Sequence, residues 1–254
     1  MTVFRTLTSP KTSVWYLAYG SNLSSTKFTH DRGIVPISIR PVTVPGWTLS
    51  LDSAGVPYSE PAFASISPID QSENEKYDQL VGTAYELTPD MYTKVLASEG
   101  GGIAYAEIEV RAQVLHGDNT ELPRGTIATL ATRSLITLLR REARPSIRYM
   151  GLLREGAAES HMPISYQKFL AQIPVYHPSR KPFRRVGAAM FLAFWVPVMS
   201  IMERVTKASL KNRKTGTAPN WVIIMVRAVV WAMWSYHDFV HAPIWGRGDG
   251  MRSA

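Results

Sequence analysis

The sequence predicts an α+β fold, a strand-rich barrel or sheet with a few helices, and three observations carry that prediction. Up to about Tyr176, short β-prone segments alternate with turn signals. Within that stretch, Thr88-Pro89 and Pro145 mark helix starts. Beyond it the pattern changes to two apolar runs joined by a basic link, which reads as a helical extension. A content of 45% hydrophobic and 19% charged residues is globular, and 254 residues leave room for one domain plus an appendage.

Met1–Ser13 carries no apolar run of the signal-peptide kind and reads as a short, flexible polar tail, residues 1–13. Val14–Ala18 is a buried-type strand that ends at the turn signal Gly20-Ser21-Asn22. Val42–Leu51 is a second strand region, broken by Pro45-Gly46; Ala62–Ser67 and Leu80–Leu87 are the third and fourth. Thr88 is placed as an N-cap with Pro89 at the first helical position, giving a helix over Met91–Ala97. Glu99-Gly100-Gly101-Gly102 interrupts it. Ile103–Leu115 alternates as a long strand, and Ile127–Ala131 is another. Pro145 opens a helical region, and Ser165–Ile173 is a helix stopped by Pro174. These elements form a main domain over 14–176, followed by a basic, apolar extension over 177–254.

The extension holds the whole charge excess. From Pro178 to Ala254 there are 12 Lys and Arg against 3 Asp and Glu, leaving 16 basic and 17 acidic residues elsewhere in a chain of net charge +8. Val186–Met202 has 17 uncharged residues interrupted by Pro197, and Trp221–Tyr236 has 16 with one charge, Arg227. Both fall short of the ~20 apolar residues of a spanning helix. Three readings stay open: helices packed on the main domain, peripheral membrane contact through residues 178–254, and true spanning helices. Flanking Arg180, Lys181, Arg184, Arg185 and Arg204, with abundant Trp, favour the second over the third.

Several chemistries are excluded. With no cysteine there is no disulfide, Cys-ligated metal or thiol nucleophile. No nucleophile elbow, P-loop or dinucleotide fingerprint occurs. The basic link lacks interleaved aromatics, so no nucleic acid partner is expected. His237 and His241 share a helical spacing with Asp238 between them but lack a third ligand, so no metal is expected.

Two segments can carry chemistry. In Tyr19-Gly20-Ser21-Asn22-Leu23, a turn after a strand can aim successive backbone N–H groups at one anionic oxygen; on composition alone it reads first as an ordinary strand-end turn. Glu99, before three glycines, is a carboxylate on permissive backbone that a ligand could approach closely. Alone it also reads as a solvated loop acid.

Taken together, the segments resemble one family. Tyr16–Leu23 looks like the signature loop of γ-glutamylcyclotransferase-like proteins. Glu99-Gly100, before the strand at Tyr105–Val110, resembles the family's catalytic glutamate segment. Pro145-Ser146-Ile147-Arg148-Tyr149, Gly156-Ala157 and Pro163–Gln167 are similar to its C-terminal Pro-Ser-x-x-Tyr…Gly-Ala…Pro-x-x-Tyr region. The ending Trp234–Asp238 and Ala242–Gly248 resembles a fungal secondary-metabolism subgroup. The resemblance implies a compact mixed β-barrel with a buried cavity and a small γ-glutamyl substrate, with glutathione or a glutathione conjugate in toxin biosynthesis as the leading form. It implies 5-oxoproline release without a cofactor. It assigns proton transfer to Glu99 and substrate binding to Tyr19, Gly20, Ser21, Asn22, Leu23 and Tyr149. A second tyrosine of the family, on the strand near Thr126–Ala131, has no clear match; Leu130 falls there. Two other readings stand beside this one: a repurposed fold isomerising or cyclising a natural product by proton transfer, and a non-catalytic membrane-associated binding module.

Overall fold

The computed structural model describes residues 3–7, 13–24, 26–70, 78–115, 126–211, 213 and 215–251. Residues 8–12 of the segment read as a tail and Lys214 of the basic link therefore lie outside the described residues. Described strands are β1 (Val3–Leu7), β2 (Val14–Ala18), β3 (Ser38–Val44), β4 (Trp47–Val56), β5 (Glu60–Pro68), β6 (Leu80–Leu87), β7 (Tyr105–Val114) and β8 (Thr126–Thr137). The helices are α1 (Pro89–Ser98), α2 (Ile147–Glu159), α3 (Ile164–Gln172), α4 (Pro182–Leu210), α5 (Asn220–Tyr236) and α6 (Ala242–Trp245).

Five strands close a mixed barrel in the order β8-β2-β6-β3-β7, with β7 returning to β8. Most pairings are antiparallel, from Val14↔Leu87 through Ser38↔Glu86 to Tyr105↔Thr137. The exception is β2 with β8, parallel at Tyr16↔Arg133. Alternation puts Leu17, Val42, Val44, Leu80, Ala84, Ala112 and Leu130 inside, each essentially without exposure. β4 and β5 form a separate hairpin, and Gly46 at φ +78° turns the chain from the barrel into it. The Pro45-Gly46 break therefore divides two sheets rather than one strand.

Two sequence expectations change. The N-terminal segment contains a strand, because β1 lies parallel to β8 along Val3↔Thr126 to Leu7↔Leu130. The strand expected over Ile127–Ala131 runs on to Thr137, far enough to reach the barrel end where the cavity lies.

The helix caps follow the sequence. Met91 N–H donates to Thr88 Oγ1 at 3.3 Å and Tyr149 N–H to Ser146 Oγ at 3.0 Å, each satisfying a donor the helix start leaves over. In the extension, Val222, Val226, Val230, Met233 and Trp234 of α5 form a second core with Phe191 and Trp195 of α4 and Tyr58 of the hairpin. Trp234 Nε1 donates to Gly55 O at 3.0 Å, pinning α5 to β4. The other faces stay apolar and open: Phe183, Met190 and Phe194 of α4, Trp221, Ile224 and Trp231 of α5, and Phe239 are all more than half exposed. By length and composition α4 could cross a membrane, its most apolar window having a mean hydropathy of 1.7 with 17% buried.

Candidate active site

The turn after β2 is built by crowding. Leu23 N–H closes it onto Gly20 O at 2.9 Å. Gly20 has φ −109° and ψ −141°, and a Cβ there would lie 3.1 Å from Tyr149 Oη and 3.3 Å from Ala64 Cβ. A side chain at this position would make both neighbours give by a few tenths of an ångström. Gly156 of α2 presses the turn from behind, where a Cβ would sit 2.6 Å from Leu23 C and 2.7 Å from Ser24 N. The Gly-Ala motif thus seats a helix directly against the loop backbone.

Glu99 caps the C-terminus of α1 and faces this turn. Its Oε1 accepts from Asn22 Nδ2 at 3.0 Å and pairs with Arg32 Nη1 at 2.6 Å. The negative end of α1 opposes a carboxylate at that position. Arg32 and Asn22 both donate to that carboxylate. Asn22 is buried, donates also to Tyr16 Oη at 2.9 Å, and accepts at its backbone oxygen from Tyr85 Oη at 3.1 Å. Its own Oδ1 is buried without a hydrogen-bond partner among the described residues.

Tyrosines form the rest of the wall. Tyr149 Oη accepts from Ala64 N–H at 3.0 Å, while Tyr105 Oη donates to Ala64 O at 3.0 Å, so the two phenols clamp one residue of β5. Tyr19 Oη donates to Leu135 O of β8. Burial pushes the phenols of Tyr16, Tyr19, Tyr105 and Tyr149 well above their ordinary value, so all four stay protonated near neutrality. Among the described residues lining the cavity, which holds about 400 Å³, Glu99 is the only carboxylate. A cavity of that size suits a small molecule.

The structure brings Tyr19, Gly20, Ser21, Asn22, Glu99 and Tyr149 to this cavity. Leu23, also expected to bind substrate, points into the core at 1% exposure and does not line it; its N–H is spent on Gly20 O. Arg32, Tyr105 and Leu135 are lining residues that the sequence reading missed. Leu130 is fully buried, and the cavity residue of β8 is Leu135, five positions on. That wall is therefore apolar by a different residue than expected.

The three glycines after Glu99 also differ from expectation. Gly100, Gly101 and Gly102 have φ of +85°, +58° and +89°, which glycine adopts readily. The extension packs against Gly101 and Gly102, which also line a second cavity beside Glu99. Ala218 N–H donates to Gly101 O at 2.9 Å, and Arg227 of α5 donates to Gly102 O and Ile103 O, both at 2.9 Å.

One acid–histidine cluster lies apart from the cavity. Single atoms of His237, Asp238 and Asp249 fall within 4.8 Å of one another. Arg247 already occupies it, bonding Asp238 Oδ1 at 3.0 Å and Asp249 Oδ2 at 2.8 Å, and Met251 N–H takes Asp249 Oδ1 at 3.0 Å. The group is a clasp that ties the chain end to α5.

Comparison with known proteins agrees with this geometry. The model of the AclK C-terminal domain matches residues 181–244. A protein named gamma-glutamyl cyclotransferase aclK, from Aspergillus oryzae, is 42% identical over 94% of this chain and 90% of its own length. Gamma-glutamyl cyclotransferase gliK from Aspergillus fumigatus is 35% identical over 97% and 93%. Among solved structures, an uncharacterized human protein, loc79017, aligns with TM-score 0.54 at 20% identity, covering 67% of this chain and 94% of that one. A structure titled gamma-glutamyl cyclotransferase aligns at 0.50 and 21%, covering 67% and 91%. The barrel is thus shared with the solved proteins, and the extension with the fungal relatives. The chain belongs to the γ-glutamyl cyclotransferase family, in the branch that carries the AclK C-terminal domain.

Proposed function

We propose that this γ-glutamyl cyclotransferase releases 5-oxoproline from glutathione or a glutathione conjugate on a route to a fungal secondary metabolite, with Glu99 moving the protons. The observation that carries the reading is the approach of Glu99 to the Gly20–Asn22 turn through Asn22, within one cavity. The substrate's α-ammonium gives a proton to Glu99, and the freed amine attacks the γ-carbonyl carbon. A C–N bond forms and closes the five-membered ring. The ring nitrogen gives up its second proton as the original amide C–N bond breaks, and that proton together with the one held by Glu99 leaves on the departing nitrogen, which goes as an ammonium. Atoms and charge balance without a cofactor. Ring closure is intramolecular, so fixing the glutamyl group in place supplies much of the rate. Backbone N–H groups of the turn meet the carbonyl oxygen as charge develops. Asn22 Oδ1, buried and unpartnered, is an acceptor suited to the ammonium. Tyr19 and Tyr149 hold the walls.

The test is release of 5-oxoproline from glutathione, γ-glutamyl amino acids and bulky S-substituted glutathiones. Glu99→Gln keeps the size and removes the base, so turnover falls by about 10²-fold or more. Unchanged turnover would remove Glu99 from the chemistry. The proton-transfer alternative, isomerisation of a natural product, would leave a γ-glutamyl group on the product.

The reading includes a location. The chain works in the cytoplasm with its extension resting on a membrane surface. The exposed apolar residues of α4 and α5, beside Arg180, Lys181, Arg184 and Arg185, support peripheral contact with anionic lipid. Flotation with anionic vesicles tests it; protein that stays at the bottom of the gradient at low salt counts against membrane contact.

A further inference from the structure

A second, larger cavity of about 800 Å³ shares Glu99, Tyr105 and Leu135 with the first. Its remaining wall comes from two sources. The main domain gives Tyr92 and Leu96 of α1 and Arg133 of β8; the extension gives Thr215, Thr217 and Ile223. We propose that this cavity is the subsite for the leaving half of the substrate, and that the extension exists in part to build it. The proposal rests on the cyclotransferase reading and adds where the leaving amine goes and what that amine must carry.

Whatever group protonates the leaving nitrogen must touch it, and among the described lining residues of the first cavity Glu99 is the only carboxylate. With the glutamyl group against the Gly20–Asn22 turn, the substituent on that nitrogen must continue past Glu99. The second cavity begins at that residue, is twice the size of the first and is lined in part by Leu96, Leu138 and Ile223. Such a space suits a large, mostly apolar substituent. Its polar corner is Glu107, which accepts from Tyr92 Oη and pairs with Arg133 at 3.4 Å. A leaving amine with an apolar body and one polar end fits that lining, as an S-alkylated cysteinyl peptide would.

The extension's wall is placed relative to Glu99 by short contacts. Gly216, with φ +67°, leaves no room for a Cβ, which would lie 2.6 Å from Thr93 O of α1. The next anchors are Ala218 on Gly101 and Arg227 on Gly102 and Ile103. The solved structures that share the barrel cover only 67% of this chain, so this wall is particular to the longer branch.

The experiment compares kcat/KM for two substrates, S-octylglutathione and γ-glutamylalanine, in the full chain and in Ile223→Trp, which fills the cavity from the extension side. Leu96→Trp fills it from the opposite side. A ratio measured on one preparation is independent of the fraction folded, so partial misfolding cannot mimic the effect. We expect each variant to lower the ratio of S-octylglutathione to γ-glutamylalanine by tenfold or more. Ratios within twofold of the original in both variants would overturn the subsite while leaving the cyclotransferase reading intact. If the unaltered chain releases no 5-oxoproline from either substrate, that reading fails and the subsite with it.

Discussion

Gly156→Ala sets two effects of opposite sign against each other at the loop proposed to cradle the substrate. Alanine improves helix propensity over glycine by about 1 kcal/mol in the interior of α2. The new methyl would lie 2.6 Å from Leu23 C and 2.7 Å from Ser24 N. These are backbone atoms and cannot swing aside. Restoring ordinary contact requires α2 and the turn to part by about 0.8 Å. Overpacking of this kind costs about 1–3 kcal/mol. It therefore equals or exceeds the propensity gain, and the net change is a loss of about 0–2 kcal/mol, read by urea unfolding. Activity should suffer more than stability. A displacement approaching 1 Å at a positioning element costs up to about 10²-fold in rate, so kcat for 5-oxoproline release should fall about 10–100-fold. A variant that is more stable than the parent and equally active would refute the claim that α2 sets the loop's position.

Other outcomes follow from the same structure. Arg227→Met removes charge-assisted donors from Gly102 O and Ile103 O; such bonds are worth about 1.5–3 kcal/mol each, discounted here by partial exposure. A loss of about 2–3 kcal/mol in denaturant unfolding is expected, with faster amide exchange at residues 100–103. Burial pushes the imidazoles of His237 and His241 below 6.5, opposed at His237 chiefly by Asp238. The folded chain keeps them neutral while the unfolded chain takes up protons, so their contribution is complete above pH 6.5 and is lost as pH falls below it. The melting temperature should drop from pH 7 to about 5.5, and His237→Gln should flatten that slope; a melting temperature that is flat over the interval counts against buried neutral histidines.

Local chemistry was readable in the sequence wherever a residue's role is settled by its neighbours along the chain. Thr88-Pro89 starts the helix it was expected to start, the helical region opened by Pro145 begins with Ser146 as its cap, and the turn after β2 sits where Gly20-Ser21-Asn22 put it. What joins these pieces is long-range. Asn22 and Glu99 are 77 positions apart, and their bond exists because β2 and α1 meet at one end of the barrel. Arg32 reaches Glu99 for the same reason, with nothing in its surroundings along the chain to mark it. Leu135 escaped notice because the cavity residue of β8 depends on strand length and register, and a short apolar run fixes neither. The glycines at 100–102 were read as room for a ligand. At Gly101 the nearest occupant is the chain's own backbone from 117 positions later at Ala218, a contact that no local pattern could have signalled.

That last contact has a consequence for the life of the protein on the ribosome. Synthesis runs from the N-terminus, so the barrel can close once β8 has emerged. At that moment Gly102 O and Ile103 O still await Arg227. Glu99 stands at the hinge of a three-glycine stretch with no fixed far side until α5 arrives. A nascent chain would therefore hold a formed barrel, with Glu99 already bonded by Asn22 and Arg32, while the glycine stretch beyond it stays uncovered until the last portion docks.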